Sequence, residues 1–488
     1  MSEPSGPFRH RGVVEGFYGT PWSHAERLAC LERMGAWGMN RYVYAPKEDP
    51  LHRARWREAY PRAQQDEFAE LVARGDECGV QAGFALSPGL SIEYASRDDR
   101  RAVCEKLGAF RALGARFFCL ALDDVPSELV HAGDRAAFAS LAAAHVALAH
   151  ELLASLGAGC TLWLVPTDYL GVEPTDYLAE LGRELAPEIE VGWTGRTVLS
   201  PTIEAREARA RSETLGRPLL LWDNTPVSDG PMRHLLHLNP YTGRDPGLVD
   251  HASGVLLNPM QHPRASGVTL RSAADWLADP TGYDPEAAFD RACEELGRGA
   301  PEAFRCFAAA HRCSPLAPDD RDRALEDAVA ALRGAIDAGG DARPALDALR
   351  RALAERAGAA DTLRERLADR RLAAEIEPWL VSHGRETRRM AAAVDLLERL
   401  LDPDARASDR VLGFFGFEAR LSREEPCAAV SYGPRRAVYP QLTSMRGDAM
   451  ALPPAGGDPV LLRDRCLADE LVALAEDAAL ARLSDRSA

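Results

Sequence analysis

The sequence predicts an α/β chain with an eight-stranded (β/α)8 barrel, the TIM-barrel architecture, followed by an α-helical bundle. Three observations predict it. Eight short apolar runs rich in Val, Leu, Phe and Tyr recur at intervals of roughly 25–45 residues over the first half of the chain. Helix-like stretches lie between most of them, so the strands are parallel and joined by crossovers. No Gly-rich dinucleotide or phosphate loop follows any run, which disfavours an open doubly wound sheet.

The runs are GVVEGFYG from Gly12, MNRYVYAP from Met39, QAGFALSPG from Gln81, FFCLALDD from Phe117, TLWLVPTDY from Thr161, EIEVGWTG from Glu188, PLLLWDN from Pro218 and GVLLNPM from Gly254. Helix-like stretches include His24 to Met34, Asp134 to Leu156 and Thr202 to Leu215. Most runs finish in polar or aromatic residues: Glu15 and Tyr18, Lys47, Asp123 and Asp124, Asp168 and Tyr169, Trp193 and Thr194, Trp222 and Asn224, and Asn258. In a barrel of this kind the carboxyl ends of the strands face the active site, so these residues should converge on one cleft.

Residues 1–283 are read as the barrel and 284–402 as the helical bundle. The second segment is rich in Ala, Leu, Arg and Glu with a helical period, and Gly339–Gly340 and Gly358 read as helix stops. Residues 403–488 mix short apolar runs with the Pro- and Gly-rich ALPPAGGDP and end in an amphipathic stretch from Pro459 to Leu483. Their fold is left unassigned.

Composition narrows the function. The chain has 488 residues, is 46% hydrophobic and carries a net charge of −16. So acidic a chain repels phosphate backbones, which argues against broad nucleic-acid binding. No apolar run approaches the ~20 residues that span a bilayer, so no membrane association is expected. The ten cysteines form no C-x-x-C pair, and Cys119, in an apolar run, reads as a buried thiol. Neither a zinc framework nor a cofactor motif is visible. The N-terminal MSEPSGPFRHRG lacks the apolar stretch of a secretory signal, and the expectation is a reduced, cytoplasmic protein of undetermined oligomeric state.

Asp123 and Asp124 are the sharpest chemical feature. Two adjacent carboxylates in a desolvated pocket cannot easily both be charged, and such a pair can supply an acid and a base. The other reading is an N-cap, since DDVPSEL has a proline suited to a first helical turn. Lys47 either hydrogen-bonds a sugar hydroxyl or pairs with Glu48 or Asp49. Tyr18, Tyr169, Trp193 and Trp222 are rings suited to stacking on a pyranose or to rim packing. Asn224, Asp229 and Asn258 either read hydroxyls or satisfy loop backbone. His52 reads as structural.

GVVEGFYGTPW followed by NRYVYAPKEDPLHRARWREAYP resembles glycoside hydrolase family 84, the O-GlcNAcase and β-N-acetylglucosaminidase family. Further matches follow in order: SPGL at Ser87, LDD ending at Asp124, PTDY ending at Tyr169, GWTG at Gly192, WDN at Trp222, NPYTGR at Asn239 and GVLLNP at Gly254. They cover roughly residues 10–280, with a weaker echo, EPWL, at Glu377. The resemblance implies retaining removal of terminal β-linked GlcNAc from a glycoside or glycoprotein, without a cofactor. The substrate acetamide would be the nucleophile, through an oxazoline intermediate. It implies that Asp123 orients the acetamide and that Asp124 is the general acid and base. Gly16 and Lys47 would hold hydroxyls, and Tyr169 would contact the acetamide region. Trp222, Asn224 and Thr194 would line the pocket, Asp229 would bind the 4- and 6-hydroxyls, and Asn258 would bind another hydroxyl. A hyaluronidase-like endo-enzyme and a non-catalytic sugar-binding scaffold are the alternatives.

Overall fold

In a computed structural model, described for residues 6–423, 429–432, 444–446, 449–451 and 466–484, the eight apolar runs become eight parallel strands closed into a barrel. They are β1 His10–Glu15, β2 Arg41–Tyr44, β3 Gln81–Leu86, β4 Phe117–Ala121, β5 Thr161–Val165, β6 Glu190–Trp193, β7 Leu219–Asp223 and β8 Ala252–Leu257. Closure is made by β1 against β8, with Gly12 opposite Leu256.

The barrel helices are α1 His24–Ala36, α2 Arg62–Cys78, α3 Arg97–Ala112, α4 Ala132–Ala137, α5 Leu141–Leu156, α6 Asp176–Glu184, α7 Ala205–Leu215 and α8 Gly267–Ala278. The stretch from Asp134 to Leu156, expected as one helix, is two. Ser140 starts α5 afresh, its hydroxyl accepting from the Ala143 amide at 2.9 Å, while Phe138 is extended.

Side chains alternate across a strand, so each strand serves two cores. Val14, Val43, Ala85, Cys119, Trp163, Leu220 and Leu256 fill the barrel interior. Val13, Tyr42, Phe84, Phe118, Leu164 and Leu221 point outward against the helices. Cys119 is a buried thiol, as expected.

Beyond the barrel come α9 Pro285–Leu296, α10 Pro301–Ala309, α11 Arg323–Asp337, α12 Arg343–Ala357, α13 Ala359–Arg366, α14 Arg370–Glu375, α15 Glu377–Leu401, α16 Ala407–Leu421 and α17 Leu467–Ser484. Gly339, at φ +63°, ends α11 as expected. Gly358 is the C-cap of α12, which ends at Ala357 as expected, and α13 starts directly after it at Ala359. Asp369 restarts the helix at α14 by accepting the Arg371 and Leu372 amides. The amphipathic end expected from Pro459 is helical from Leu467; residues 459–465, most of ALPPAGGDP and Cys427 lie outside the described residues. No helix among the described residues is long and apolar enough to cross a membrane.

Candidate active site

The alternation that fills the barrel also delivers the site. Val14 is interior, and two residues on comes Gly16; Ala45 leads to Lys47, Ala121 to Asp123, Trp222 to Asn224 and Leu256 to Asn258. Each of these residues extends the inward-facing row of its strand past the last apolar layer. The intervening acids face the other way. Glu15 is buried behind the wall with Arg27 of α1, at 2.8 Å, and the Tyr42 hydroxyl. Asp223 is likewise held by Arg244 and by Tyr241 at 2.6 Å. Glu15, which the sequence left among the candidates for the cleft, is therefore a structural ion-pair partner.

Asp124 breaks this alternation. It follows the inward-facing Asp123, yet its carboxylate meets two rings of the mouth: Oδ2 accepts from the Tyr18 hydroxyl at 2.8 Å and Oδ1 from the Tyr169 hydroxyl at 2.9 Å. The backbone makes this possible, because Asp124 is in the left-handed region at φ +52°. Asp and Asn tolerate that region better than other L-residues. The N-cap reading is excluded: no helix begins here, and the next, α4, starts at Ala132.

Lys47 joins the two carboxylates. Its ammonium pairs with Asp123 Oδ2 and stands 3.8 Å from Asp124 Oδ2, so its partner is neither Glu48 nor Asp49. Burial works against the ammonium, but Asp123 and Asp124 outweigh it and hold the Lys47 pKa above the ordinary lysine value. Asp123 Oδ1 is buried with no hydrogen-bond partner in the protein. Burial, and then the Asp124 charge, push the Tyr169 phenol well above its usual pKa, so it stays a donor.

A second group of hydrogen bonds joins the ends of β7, β8 and β1. Trp222 Nε1 donates to Asn224 Oδ1 at 3.0 Å, Asn258 Nδ2 donates to the same oxygen at 2.9 Å, and the Gly16 amide donates to Asn258 Oδ1 at 3.1 Å. Asn224 Nδ2 donates to the Val198 carbonyl at 2.8 Å. The Trp222 indole lies so close to Gly16 that a Cβ there would fall 2.1 Å from Cζ2. Lys47 Nζ stands 5.6 Å from the indole centroid. Asp229 closes the ring of groups, its Oδ2 accepting the Tyr18 amide at 2.8 Å. Burial raises its pKa, against the pull of that amide.

Three residues sit differently from their sequence readings. Trp193 is fully buried and donates to the Gly171 carbonyl, so it packs and does not stack on a ligand. The Thr194 hydroxyl faces the carbonyls of Thr197 at 3.2 Å and Tyr169 at 3.4 Å, so its donor is spent inside the protein. Tyr18 enters through its hydroxyl as well as its ring. His52 is structural, as read: buried, with Nδ1 3.0 Å from the Ala85 carbonyl and a pKa lowered by burial to about 4. Sequence reasoning missed Arg53, which contacts both Tyr18 and Asp124. Its sequence signals were its place beside His52 and within the segment from Asn40 to Pro61 that carries the resemblance. Among the described residues one metal-type cluster occurs, Glu386, Cys466 and Asp469, on α15 and at α17; Arg389 already pairs with both carboxylates there.

The description of the β-N-acetylglucosaminidase family matches residues 11–309. The protein O-GlcNAcases of Rattus norvegicus and Mus musculus are each 35% identical over 271 residues, 54% of this chain and 29% of theirs. The chain thus spans under a third of the length of these relatives. A variant of the Thermobaculum terrenum O-GlcNAc hydrolase superposes with a TM-score of 0.80 at 32% identity, covering 87% of this chain and 91% of that one. CpGH84B also superposes at 0.80, with 27% identity over 87% of this chain and 75% of its own. The chain belongs to the β-N-acetylglucosaminidase family, glycoside hydrolase family 84.

Proposed function

We propose that this chain is a retaining exo-β-N-acetylglucosaminidase that removes terminal β-linked GlcNAc from a glycoprotein or smaller glycoside by substrate-assisted catalysis. One observation carries the reading: Asp123 and Asp124 share the barrel mouth, and Asp123 keeps a buried carboxylate oxygen without a protein partner. A single free oxygen suits one amide N–H.

The acetamide oxygen attacks C1 while Asp124 gives its proton to the glycosidic oxygen. The bond from C1 to the aglycone oxygen breaks as the bond to the acetamide oxygen forms. Asp123 accepts the acetamide N–H and balances the positive charge of the oxazolinium. Asp124, now a carboxylate, takes a proton from water, which attacks C1 and reopens the ring; two inversions give retention. The acids Glu15 and Asp223 are held in ion pairs behind the wall, which favours the acetamide as nucleophile. Gly16 through its backbone, Lys47, Asp229 and Asn258 would hold sugar hydroxyls, Tyr169 would lie by the acetamide, and Trp222 with Asn224 would form the floor. Thr194 would position the Tyr169 segment.

Aryl β-N-acetylglucosaminides with progressively fluorinated acetamides test this. Fluorine withdraws electrons from the attacking oxygen, so kcat should fall with each fluorine added. Turnover indifferent to fluorination would indicate a carboxylate nucleophile, and no turnover of the parent glycoside would leave a binding scaffold.

We further propose a cytoplasmic location, and a division into barrel, helical and C-terminal units near residues 283 and 402.

A further inference from the structure

The left-handed backbone at Asp124 is held from a segment that the proposed chemistry does not use. After β2 the chain runs through His52 and Arg53. The His52 carbonyl accepts the Ser87 amide at 3.0 Å, and its imidazole meets the Ala85 carbonyl at 3.0 Å, which ties this loop to the end of β3. The next residue, Arg53, reaches the mouth. Its Nη1 donates to the Tyr18 hydroxyl oxygen at 3.0 Å and its Nη2 donates to the Asp124 backbone carbonyl at 3.1 Å. The Tyr18 hydroxyl in turn donates to Asp124 Oδ2 at 2.8 Å.

One planar guanidinium therefore grips Asp124 twice, directly at its carbonyl and through Tyr18 at its carboxylate. Only a fork of fixed geometry spans two acceptors this way, which an ammonium does poorly. A left-handed non-glycine residue relaxes unless its surroundings hold it. Were Asp124 to relax, strand alternation would turn its carboxylate away from Asp123.

We infer that Arg53 is a positioning residue that holds the left-handed backbone and the carboxylate rotamer of Asp124, so that the proton is delivered to the leaving oxygen. The inference rests on the proposed role of Asp124 as proton donor. Arg53 itself gives up no proton and touches no reacting atom.

The test compares Arg53→Ala, Arg53→Lys and Asp124→Asn against a series of β-N-acetylglucosaminides spanning good and poor leaving groups, with thermal melting of each protein. Arg53→Ala should lose at least about tenfold more kcat/KM on poor leaving groups than on activated aryl ones. The loss should fall on kcat, and added guanidinium at millimolar concentration should restore part of it. Arg53→Lys should show the same leaving-group dependence in weaker form; if Arg53→Ala does not fold, this variant decides. A drop equal across all leaving groups, tracking the loss of melting temperature and not rescued, would reduce Arg53 to a structural residue and overturn the inference, as would unchanged kinetics. If Asp124→Asn keeps full activity on poor leaving groups, the catalytic reading of the pair fails and the inference falls with it. If Asp124→Asn is impaired while Arg53→Ala and Arg53→Lys show no leaving-group dependence, the inference alone fails.

Discussion

Asp124 and Gly16 show how single backbone positions decide what a side chain can do. At φ +52° Asp124 joins Asp123 in the mouth although the two are sequence neighbours. Asn tolerates the same conformation, so Asp124→Asn should keep the fold and remove the acid. Its kcat/KM on alkyl glycosides should fall about 10²–10⁴-fold while activated aryl glycosides lose far less, because their leaving oxygen needs no proton. On the proposed mechanism Asp123→Asn removes the charge that would face the acetamide of every substrate, and should depress all substrates by about 10²–10³-fold. Plots of log kcat/KM against leaving-group pKa separate the two; the opposite pattern would swap the roles. At Gly16 the constraint is space. A methyl group there would sit 2.1 Å from Trp222 Cζ2, so Gly16→Ala must displace the indole. Overpacking of this kind costs about 1–3 kcal/mol. A loss of kcat/KM with shifted tryptophan fluorescence is expected, and wild-type kinetics would remove Gly16 from the pocket.

At the scale of elements, the site depends on strand phase and on how loops are tied down. The loop after β8 is tied to α14: Glu375 accepts the backbone amides of Ala265 at 2.7 Å and Arg264 at 3.1 Å. Burial raises its pKa to about 7, against the pull of those amides. The folded-state value lies above the usual carboxylate value near 4.5, so its contribution to stability is fullest below about pH 4.5 and is lost as pH rises through 7. Glu375→Gln stays neutral and can still accept through its amide oxygen. Urea unfolding of both proteins from pH 5 to pH 8 should show near-equal stability at the acid end. The variant should lead by about 2 kcal/mol at the alkaline end. A gap that does not grow with pH would mean that Glu375 ionises without penalty.

The helical region and the barrel share one core at the scale of the whole molecule. Leu236, Leu238, Met260 and Val268 of the barrel cluster with Phe289, Phe304, Phe307, Leu363, Ile376 and Leu380. Trp379, in the EPWL segment, donates to the His234 carbonyl at 3.1 Å and meets the His262 ring edge-on, with centroids 4.8 Å apart. It thus clamps the loops after β7 and β8, which also carry Asp229 and Asn258. Trp379→Ala should cost about 3–5 kcal/mol in denaturant unfolding. It should also raise KM more than it lowers kcat, because those loops hold the proposed hydroxyl ligands. A destabilised enzyme with an unchanged KM would separate this core from the site.

The barrel was legible in the sequence because its signal is local and periodic. Eight apolar runs at crossover spacing suffice, and a polar residue two places beyond an inward-facing one lands at the mouth by strand geometry alone. Run ends alone mark Lys47, Asp123, Asp124, Asn224 and Asn258 for the mouth, Gly16 enters only through the resemblance, and the inward phase of each strand is seen in the structure. The resemblance to family 84 added roles to these positions, but not their contacts. What only the tertiary structure decided depends on partners distant in sequence. Glu15 was separated from the mouth by Arg27 and Tyr42, Trp193 was packed away, and the Thr194 hydroxyl was spent on carbonyls. The Asp124 cap reading could be set aside only once the chain after β4 was seen to continue without a helix. Arg53 gave no periodic or compositional signal, because a residue that works through the backbone of another is defined by where two loops meet. The sequence determined that strand ends gather at one barrel mouth; the packing of loops and helices around them decided which of those side chains stay there and which loop residues, such as Arg53, join them.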